Sequence, residues 1–262
     1  MKAIIIAAGQ GQRLRPYTSD RPKCMVEIRG KTLLERQIEA YRAAGIDDIV
    51  VIRGYLGRFI QVPGVRYITN KHFKQNNILE SLFCAREELV GDVVISYGDI
   101  TFHPDVVRVL LTKQAPSMVV VDLDWRTIYE GRDDHPVDQA ELCVVEDVML
   151  DSVGWANGSP SHRIVELGKH VDGERGMGEF IGLAKFSAAA IGRLCALYDR
   201  ALLGGRDAPF QHAPSLRKAY LTDLLNEAIE AGEFIHPFWI RGGWREIDTV
   251  QDYERAQAQI NW

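Results

Sequence analysis

Glycines and basic residues near the start of the chain form a group that could bind phosphate. Gly9 and Gly11 precede Arg13 and Arg15, and Lys23 follows in the same loop. Glycines allow backbone N–H groups to approach a phosphate closely, and the cationic side chains would neutralise its charge. We therefore expect a triphosphate cradle here. A solvated basic turn between a strand and a helix is the alternative.

Three acidic residues much further along the chain could hold a metal ion. Asp99 follows the apolar run Val93–Ile95 by a few residues, after a glycine, while Glu246 and Asp248 flank an isoleucine. In an extended strand the last two point to the same side, which is costly unless a cation compensates their charge. A carboxylate in a phosphate site is best explained by a metal ion between the two. A turn aspartate and a helix cap are the structural alternatives.

The elements that must position these residues alternate between apolar strands and amphipathic helices. The run Ile4–Ile6 is typical of a strand buried on both faces, and Ile49–Ile52 is a second such run. Between them Thr32 is a cap for a helix that ends at Gly45. This alternation predicts an α/β fold with a doubly wound, mostly parallel sheet. In such sheets ligands bind beyond the carboxyl ends of the strands.

The pattern changes over residues 122–180. Two shorter strands, 140–146 and 163–167, are separated by the turn-rich stretch 154–160 and follow a polar loop. We interpret the whole of 1–262 as a single domain, with this section as a small inserted β lobe. A lobe of this kind commonly carries the contacts to a second substrate.

Bulk properties exclude several classes of protein. The chain has 262 residues, 46% of them hydrophobic, which is enough for one sizeable core. Its net charge of -5 and the lack of a basic block give no sign of a nucleic-acid partner. No apolar segment approaches the roughly 18 residues of a membrane span, and the start does not have the form of a signal peptide. The four cysteines have no CxxC pairing, which favours buried free thiols in a cytoplasmic protein: Cys24, Cys84, Cys143 and Cys195.

The first loop also matches a longer pattern, GxGxRxxPxTxxxPK. The spacing before the final Pro-Lys pair differs by one residue from the spacing in the commonest form of this pattern. The loop has neither the spacing of a Walker A motif nor the third glycine of a dinucleotide fingerprint. The matching residues are Gly9, Gly11, Arg13, Pro16, Thr18, Pro22 and Lys23. The pattern resembles the signature of nucleotidyltransferases that act on sugar phosphates and phosphocholine. An Asn-Asn pair, a Gly-Asp pair and a Glu-Ile-Asp segment follow in the same order as in phosphocholine cytidylyltransferases.

The resemblance implies a GT-A-like, Rossmann-like nucleotidyltransferase and assigns roles within it. The nucleotide would contact Ala8, Gly9, Gly11, Asn77 and Ser81. Asn77 is equally a plausible N-cap, with Glu80 three residues on. The catalytic cations would be Arg13 and Lys23. Mg²⁺ would bind Asp99 and Asp248, with Glu246 as a helper.

The acceptor side is the least readable part of the sequence. Segments around residues 121–126 and 179–183 resemble nucleotidyltransferase domains associated with phosphonate biosynthesis, which places Glu179 among the acceptor contacts. Lys169 stands where related enzymes place a lysine near the acceptor phosphate, although a surface lysine fits equally well. Trp125, with Tyr129 and nearby carboxylates, could hold an ammonium group or could simply pack.

The reaction implied is transfer of CMP from CTP to a small phosphate or phosphonate with release of pyrophosphate. Phosphocholine, phosphoethanolamine and 2-aminoethylphosphonate are the expected kinds of acceptor. A sugar-1-phosphate nucleotidyltransferase is the alternative enzyme, but the Glu-Lys-Pro segment of those enzymes is not recognisable. A non-catalytic nucleotide-sensing module is the alternative outside enzymes, and the intact cationic and acidic residues argue against it. A homodimer is left open.

Overall fold

This computed structural model describes residues 1–148 and 161–262, which contain thirteen strands and seven α-helices. The strands are β1 (Lys2–Ala7), β2 (Glu27–Ile28), β3 (Lys31–Thr32), β4 (Ile49–Arg53), β5 (Arg66–Thr69), β6 (Val93–Tyr97), β7 (Ile100–Phe102), β8 (Ser117–Asp122), β9 (Leu142–Val148), β10 (Ser161–Gly168), β11 (Gly178–Phe186), β12 (His236–Ile240) and β13 (Trp244–Glu246). The helices are α1 (Leu33–Ala43), α2 (Ile78–Phe83), α3 (Pro104–Thr112), α4 (Trp125–Tyr129), α5 (Ala188–Leu203), α6 (Leu221–Glu230) and α7 (Val250–Gln259).

Strand β1 lies at the centre of the sheet and is buried on both faces. It runs parallel to β4 on one side and to β6 on the other. Ile4 and Ile6 pack into the hydrophobic core on one face of the sheet, and Ile5 packs into the core on the other. Helices α2, α5 and α6 cover the first face, while α1 and α3 cover the second. A strand that is buried on both faces needs apolar side chains at successive positions, which explains the unbroken apolar run in the sequence.

Within the described residues, nine strands form one sheet. Seven of them point the same way, and only β10 and β11 run against the rest. The first residues of β11 pair with β9, whereas its last residues pair with β6, so the sheet forks at this strand. Strand β8 lies along the other edge of β11 and carries β12. The predicted α/β class with a mostly parallel central sheet is confirmed.

Helix ends follow the capping residues in most cases. Thr32 and Glu35 form a reciprocal capping box at the start of α1, as Thr249 and Asp252 do at α7. The cap predicted from Asn77 is wrong in one respect. Helix α2 does begin directly after this residue, but its side chain makes no capping hydrogen bond and donates instead to the Lys218 carbonyl at 2.9 Å.

The inserted section is built around the two predicted short strands, β9 and β10, which the structure pairs as an antiparallel hairpin. This hairpin continues the main sheet through β11 and covers a small apolar cluster that includes Trp125 and Leu142. The turn predicted at 154–160 lies outside the described residues. Boundaries of 122–180 for the lobe stay a prediction.

Two bulk expectations can be compared with the structure. All four cysteines are free thiols, and three are buried, but Cys84 is exposed, so the expectation of burial is wrong for that residue. Cys84 sits at the carboxyl end of α2 and faces away from the core. No helix in the described ranges is long and apolar enough to cross a membrane.

Candidate active site

A cavity of about 340 Å³ opens at the carboxyl ends of the central strands. It is the place where an open α/β sheet binds its ligand. Ten residues predicted from the sequence line it: Ala8, Gly9, Arg13, Asn77, Ser81, Asp99, Lys169, Glu179, Glu246 and Asp248. Three other predicted residues do not line the cavity, and each is described below: Gly11, Lys23 and Trp125.

Asp99 reaches the cavity because of the glycine before it. The Gly98 N–H donates to the Ile6 carbonyl at 2.9 Å, which holds the end of β6 against the end of β1. A Cβ at Gly98 would lie 2.8 Å from the Ala7 Cα, closer than real Cβ atoms come to backbone. The first residue of the Gly-Asp pair must therefore be a glycine for packing reasons, and the second presents a partly exposed carboxylate to the cavity.

Lys23 joins the two predicted metal-binding carboxylates. Its Nζ lies 2.9 Å from Asp99 Oδ2 and 2.7 Å from Asp248 Oδ1, and the residue is only 8% exposed. Burial alone would lower the pKa of Lys23, but the carboxylates of Asp99 and Asp248 raise it above its ordinary value. Burial would likewise raise the pKa of Asp248, yet Lys23 and its other partners hold it well below the usual range. Lys23 and Asp248 are therefore both charged at neutral pH.

Gly11 acts on Lys23 and does not reach the cavity itself. Its backbone is left-handed, with φ of 59°, and an added Cβ would lie 3.0 Å from the Lys23 Cβ. The buried Thr18 hydroxyl donates to the Gly11 carbonyl at 2.7 Å. Gly11 and Thr18 thus fix the position of Lys23 within the loop, which gives a physical reason for the spacing of the motif.

Glu246 and Asp248 both face the cavity, while Ile247 between them is fully buried in a separate core. The alternation predicted for this strand is confirmed. Arg13 contacts the Asp248 carboxylate, and its own side chain is half exposed. One carboxylate thus contacts both predicted catalytic cations, Arg13 and Lys23.

Sequence reasoning missed two residues beside these carboxylates. Arg132 is 6% exposed and His135 is 2% exposed. Arg132 pairs with Asp252 at 2.6 Å and with Glu246 at 3.0 Å, and His135 lies 3.3 Å from Asp248. Both belong to a stretch whose polar, turn-forming composition indicates a solvated loop. No periodicity marks their burial, because short loops have none.

The cavity lining also includes Lys169 and a carboxyl group that the sequence did not single out, Glu141. Lys169 Nζ lies 3.2 Å from Gln139 Oε1 and 4.6 Å from the centre of the Tyr220 ring. Beside it, Glu141 accepts a hydrogen bond from the Tyr97 hydroxyl at 3.1 Å. Burial raises the pKa of Glu141 to about 7. The lysine therefore has neutral groups as its direct partners and a carboxyl group nearby.

Glu179 and Trp125 have different surroundings. Glu179 Oε1 accepts from the Tyr129 hydroxyl at 2.7 Å, while its buried Oε2 has no hydrogen-bond partner. Burial raises the pKa of Glu179 to about 8. Trp125 is buried in a small apolar cluster, and the Arg126 guanidinium lies over its ring, 4.5 Å from the ring centre. Contact of this ring with an acceptor does not match the structure, since the apolar cluster and Arg126 occupy its surface.

Ser81 and Asn77 lie on the wall near the end of β1, but both have structural partners. The Ser81 hydroxyl donates to the Asn77 carbonyl at 3.0 Å and accepts from the buried Asn70 amide at 2.9 Å. Asn70 also bonds Asn76, another residue of the wall. The network fixes the shape of this part of the cavity. A role in nucleotide contact for either predicted residue stays a prediction.

The carboxylates fit a divalent cation of the hard kind. Asp99 and Asp248 present oxygens that share one ammonium group, so both are within reach of one small ion. Asp248 Oδ2 is in contact with the half-exposed Arg13 guanidinium, which could leave this oxygen to an ion. Carboxylate oxygens are the ligands that Mg²⁺ prefers, usually together with phosphate oxygens of a substrate.

The fold and this arrangement of a glycine loop, a buried lysine and two carboxylates define a nucleotidyltransferase. Residues 3–166 match the protein family described as the MobA-like NTP transferase domain. The chain belongs to that family.

Relatives and solved structures extend the comparison over the whole chain. The CTP:phosphoglutamine cytidylyltransferase of Campylobacter jejuni is 32% identical over 97% of this chain and 98% of its own length. The choline-phosphate cytidylyltransferase of Streptococcus pneumoniae is 33% identical over 70% of this chain and 80% of its own length. The solved inositol-1-phosphate CTP transferase from T. maritima has a TM-score of 0.70 at 19% identity, covering 100% of this chain and 98% of that one, which shows the fold.

Proposed function

We propose that the chain is a CTP-dependent cytidylyltransferase that transfers CMP to a small phosphate or phosphonate acceptor. Similarity over nearly the full length to a CTP:phosphoglutamine cytidylyltransferase supports this choice of nucleotide and of acceptor class. The observation that carries the proposal is one cavity lined by two carboxylates that share a buried ammonium and by a second lysine. Asp99 and Asp248 both contact Lys23, and Lys169 lines the same cavity.

The chemistry needs positioning and charge neutralisation and no general base. An acceptor oxygen that is already anionic forms a bond to the α-phosphorus of CTP. The bond from that phosphorus to the β-phosphate oxygen breaks, and pyrophosphate leaves with the electron pair. Arg13 and Lys23 neutralise the triphosphate and the charge that develops on the leaving group. No Ser/His/Asp or Cys/His arrangement is required.

A divalent cation, which we take to be Mg²⁺, would be held by Asp99 and Asp248. When bound, it would supply Lewis-acid neutralisation at the α-phosphate. Glu246 faces the same cavity and would support it through the charge it adds. The Lys23 ammonium, which both carboxylates contact, would then be available to neutralise the triphosphate.

The nucleotide end of the cavity would be the wall formed by Ala8, Gly9, Asn77 and Ser81. The first two line the cavity directly after β1, and Gly9 is exposed there, so a phosphate could approach its backbone N–H. The hydrogen-bonded wall of Ser81 and Asn77 offers a preformed surface for the base or ribose. Gly11 contributes indirectly, through the position of Lys23.

The acceptor end would combine Lys169 for the phosphorus-bearing group with Glu179 for an ammonium group. Lys169 has no ion-pair partner in direct contact within the part of the chain that is described, so its charge is available to an anion. Glu179 is 4% exposed and keeps one buried oxygen without a partner. A buried carboxylate of this kind is stabilised by a cation. The acceptor class is therefore an amine-bearing phosphate or phosphonate.

Pyrophosphate release by the purified protein with Mg²⁺ tests the proposal. CTP, UTP, dTTP and GTP are each paired with phosphocholine, phosphoethanolamine, 2-aminoethylphosphonate, phosphoglutamine and hexose 1-phosphates. We expect release with CTP and an amine-bearing acceptor. Release only with hexose 1-phosphates would favour the sugar enzymes, and no release with any pair would favour a nucleotide-binding module. We also expect a cytoplasmic protein, and size-exclusion chromatography would decide whether it is a homodimer.

A further inference from the structure

A second, smaller cavity shares Glu246 with the candidate active site. Its volume is about 70 Å³. Water molecules take about 30 Å³ each in the liquid, so this cavity has room for a small ion or molecule. Its lining contains three arginines and two carboxylates: Arg132, Arg245, Arg255, Glu246 and Asp252. Among the described residues, Glu246 is the only one that lines both cavities.

Both carboxylates of this small cavity already have a cationic partner. Arg132 Nε lies 2.6 Å from Asp252 Oδ1, and its Nη2 lies 3.0 Å from Glu246 Oε2. Asp252 also accepts hydrogen bonds from the backbone N–H groups of Asp248 and Thr249. The lining therefore has two further arginines whose charge these carboxylates do not offset.

Arg255, on α7, has neither a hydrogen bond nor an ion pair with any residue that the structure describes. Its Nη1 is nevertheless buried. Buried polar atoms in folded proteins nearly always have a partner, either in the protein or in a bound species. A guanidinium group only donates hydrogen bonds, so the missing partner has to be an acceptor.

Arg245 has only neutral groups as its direct partners. Its guanidinium donates to the Trp244 carbonyl at 2.7 Å and to Gln259 Oε1 at 3.2 Å. Burial lowers the pKa of Arg245, and the positive charge of Arg255 lowers it further. Within the described part of the chain, neither arginine forms an ion pair. An anion between these two like charges would relieve their repulsion.

We propose that Arg245 and Arg255 form a binding site for a small oxyanion such as inorganic phosphate, with Arg132 at its edge. The planar guanidinium group presents parallel donors that match the oxygens of such an ion. A cavity of this volume is too small for a nucleotide, and its surplus positive charge disfavours a cation. The phosphate-binding loop at the start of the chain contributes no residue to this lining, so the site is separate from that loop. The proposal does not depend on the proposed function.

Nitrogen-15 NMR of the arginine side chains tests the site residue by residue, because each Nε–H group gives a signal that substitution can assign. Phosphate, sulfate and chloride are titrated separately into the wild-type protein at constant ionic strength. We expect the Arg245 and Arg255 signals to shift saturably with phosphate and sulfate, and not with chloride. The Arg13 signal reports phosphate at the first loop separately.

Arg255→Met keeps much of the side-chain volume and removes the charge. The affinity for phosphate read from the Arg245 signal should fall at least about tenfold, on the scale of a lost charge-assisted hydrogen bond. The response of Arg13 should stay the same. Arg58→Met is the matched control, since it removes an exposed arginine that lines neither cavity, and it should change neither response.

Three results would overturn the assignment. The first is a lack of saturable shifts at Arg245 and Arg255 in the wild-type protein, and the second is an equal response to chloride. The third is an unchanged affinity at Arg245 in folded Arg255→Met. Because the wild-type titrations alone decide the first two, poor folding of the variant does not rescue the proposal.

Discussion

Replacing Lys23 by methionine should destabilise the protein in a way that a divalent cation repairs. The change keeps most of the side-chain volume and removes the ammonium group that lies 2.9 Å from Asp99 and 2.7 Å from Asp248. Removal of one partner from a buried ion pair costs about 3–5 kcal/mol, because it leaves an uncompensated buried charge. Asp99 keeps a side chain 31% exposed and Asp248 keeps its Arg13 contact. We therefore expect the low end of that range, about 3 kcal/mol.

The repair by a cation follows from competition for the same oxygens. Binding to the folded state at a hundredfold excess over Kd adds about 2.7 kcal/mol to the free energy of unfolding. In the wild-type protein Mg²⁺ must first displace the Lys23 ammonium, so its stabilising effect should be smaller at the same concentration. In Lys23→Met it meets unpaired carboxylates and should recover most of the lost stability. Turnover of the variant should still fall at least about a hundredfold, because a transition-state cation is missing.

Urea denaturation in EDTA and in Mg²⁺ measures both effects. Lys185→Met is a matched control, since Lys185 is also buried but donates to the carbonyls of Leu110 and Lys113. That control should lose stability equally with and without Mg²⁺. If Lys23→Met were as stable as wild type in EDTA, or gained no more from Mg²⁺ than the control, the reasoning about shared carboxylates would be refuted.

Four further predictions concern single residues. Asp99→Asn should keep the fold and lower turnover at least about a hundredfold in the pyrophosphate assay, and near wild-type turnover would contradict a metal role. Gly98→Ala should lower the thermal unfolding midpoint, since its Cβ meets backbone at 2.8 Å, whereas Gly173→Ala, with open space, should not. Folding raises the pKa of Glu141 from 4.5 to about 7, so the protein is stabilised by its protonated form. This contribution is fully present below about pH 4.5 and is lost as the pH rises through 7. Glu141→Gln should therefore reduce the fall in the free energy of unfolding that urea denaturation measures between about pH 5 and 8. Glu179→Gln should raise KM for phosphocholine. It should leave KM unchanged for 3,3-dimethylbutyl phosphate, an isostere in which a neutral carbon replaces the ammonium nitrogen. An equal rise for both would exclude ammonium recognition.

Much of the scaffold was predictable from local pattern. Apolar residues recur in the sequence with periods of two and 3.6 residues. These local patterns account for the burial of β1 on both faces, the capping box at Thr32 and the alternation around Ile247. The nucleotidyltransferase class was predictable too, because a motif with several fixed residue types directly follows an apolar strand. The cap geometry at Asn77 was not predictable, because its side chain donates a hydrogen bond to the Lys218 carbonyl and does not cap its own helix.

By itself the sequence determined the class of enzyme and the kinds of groups at its site. Only the tertiary structure decided that Lys23 stands between Asp99 and Asp248, because strand order, and not spacing along the chain, makes residues so distant into neighbours. The same holds for His135. Its loop has the composition of a solvated turn, and its burial comes from packing against β13 and α7, elements more than a hundred residues away.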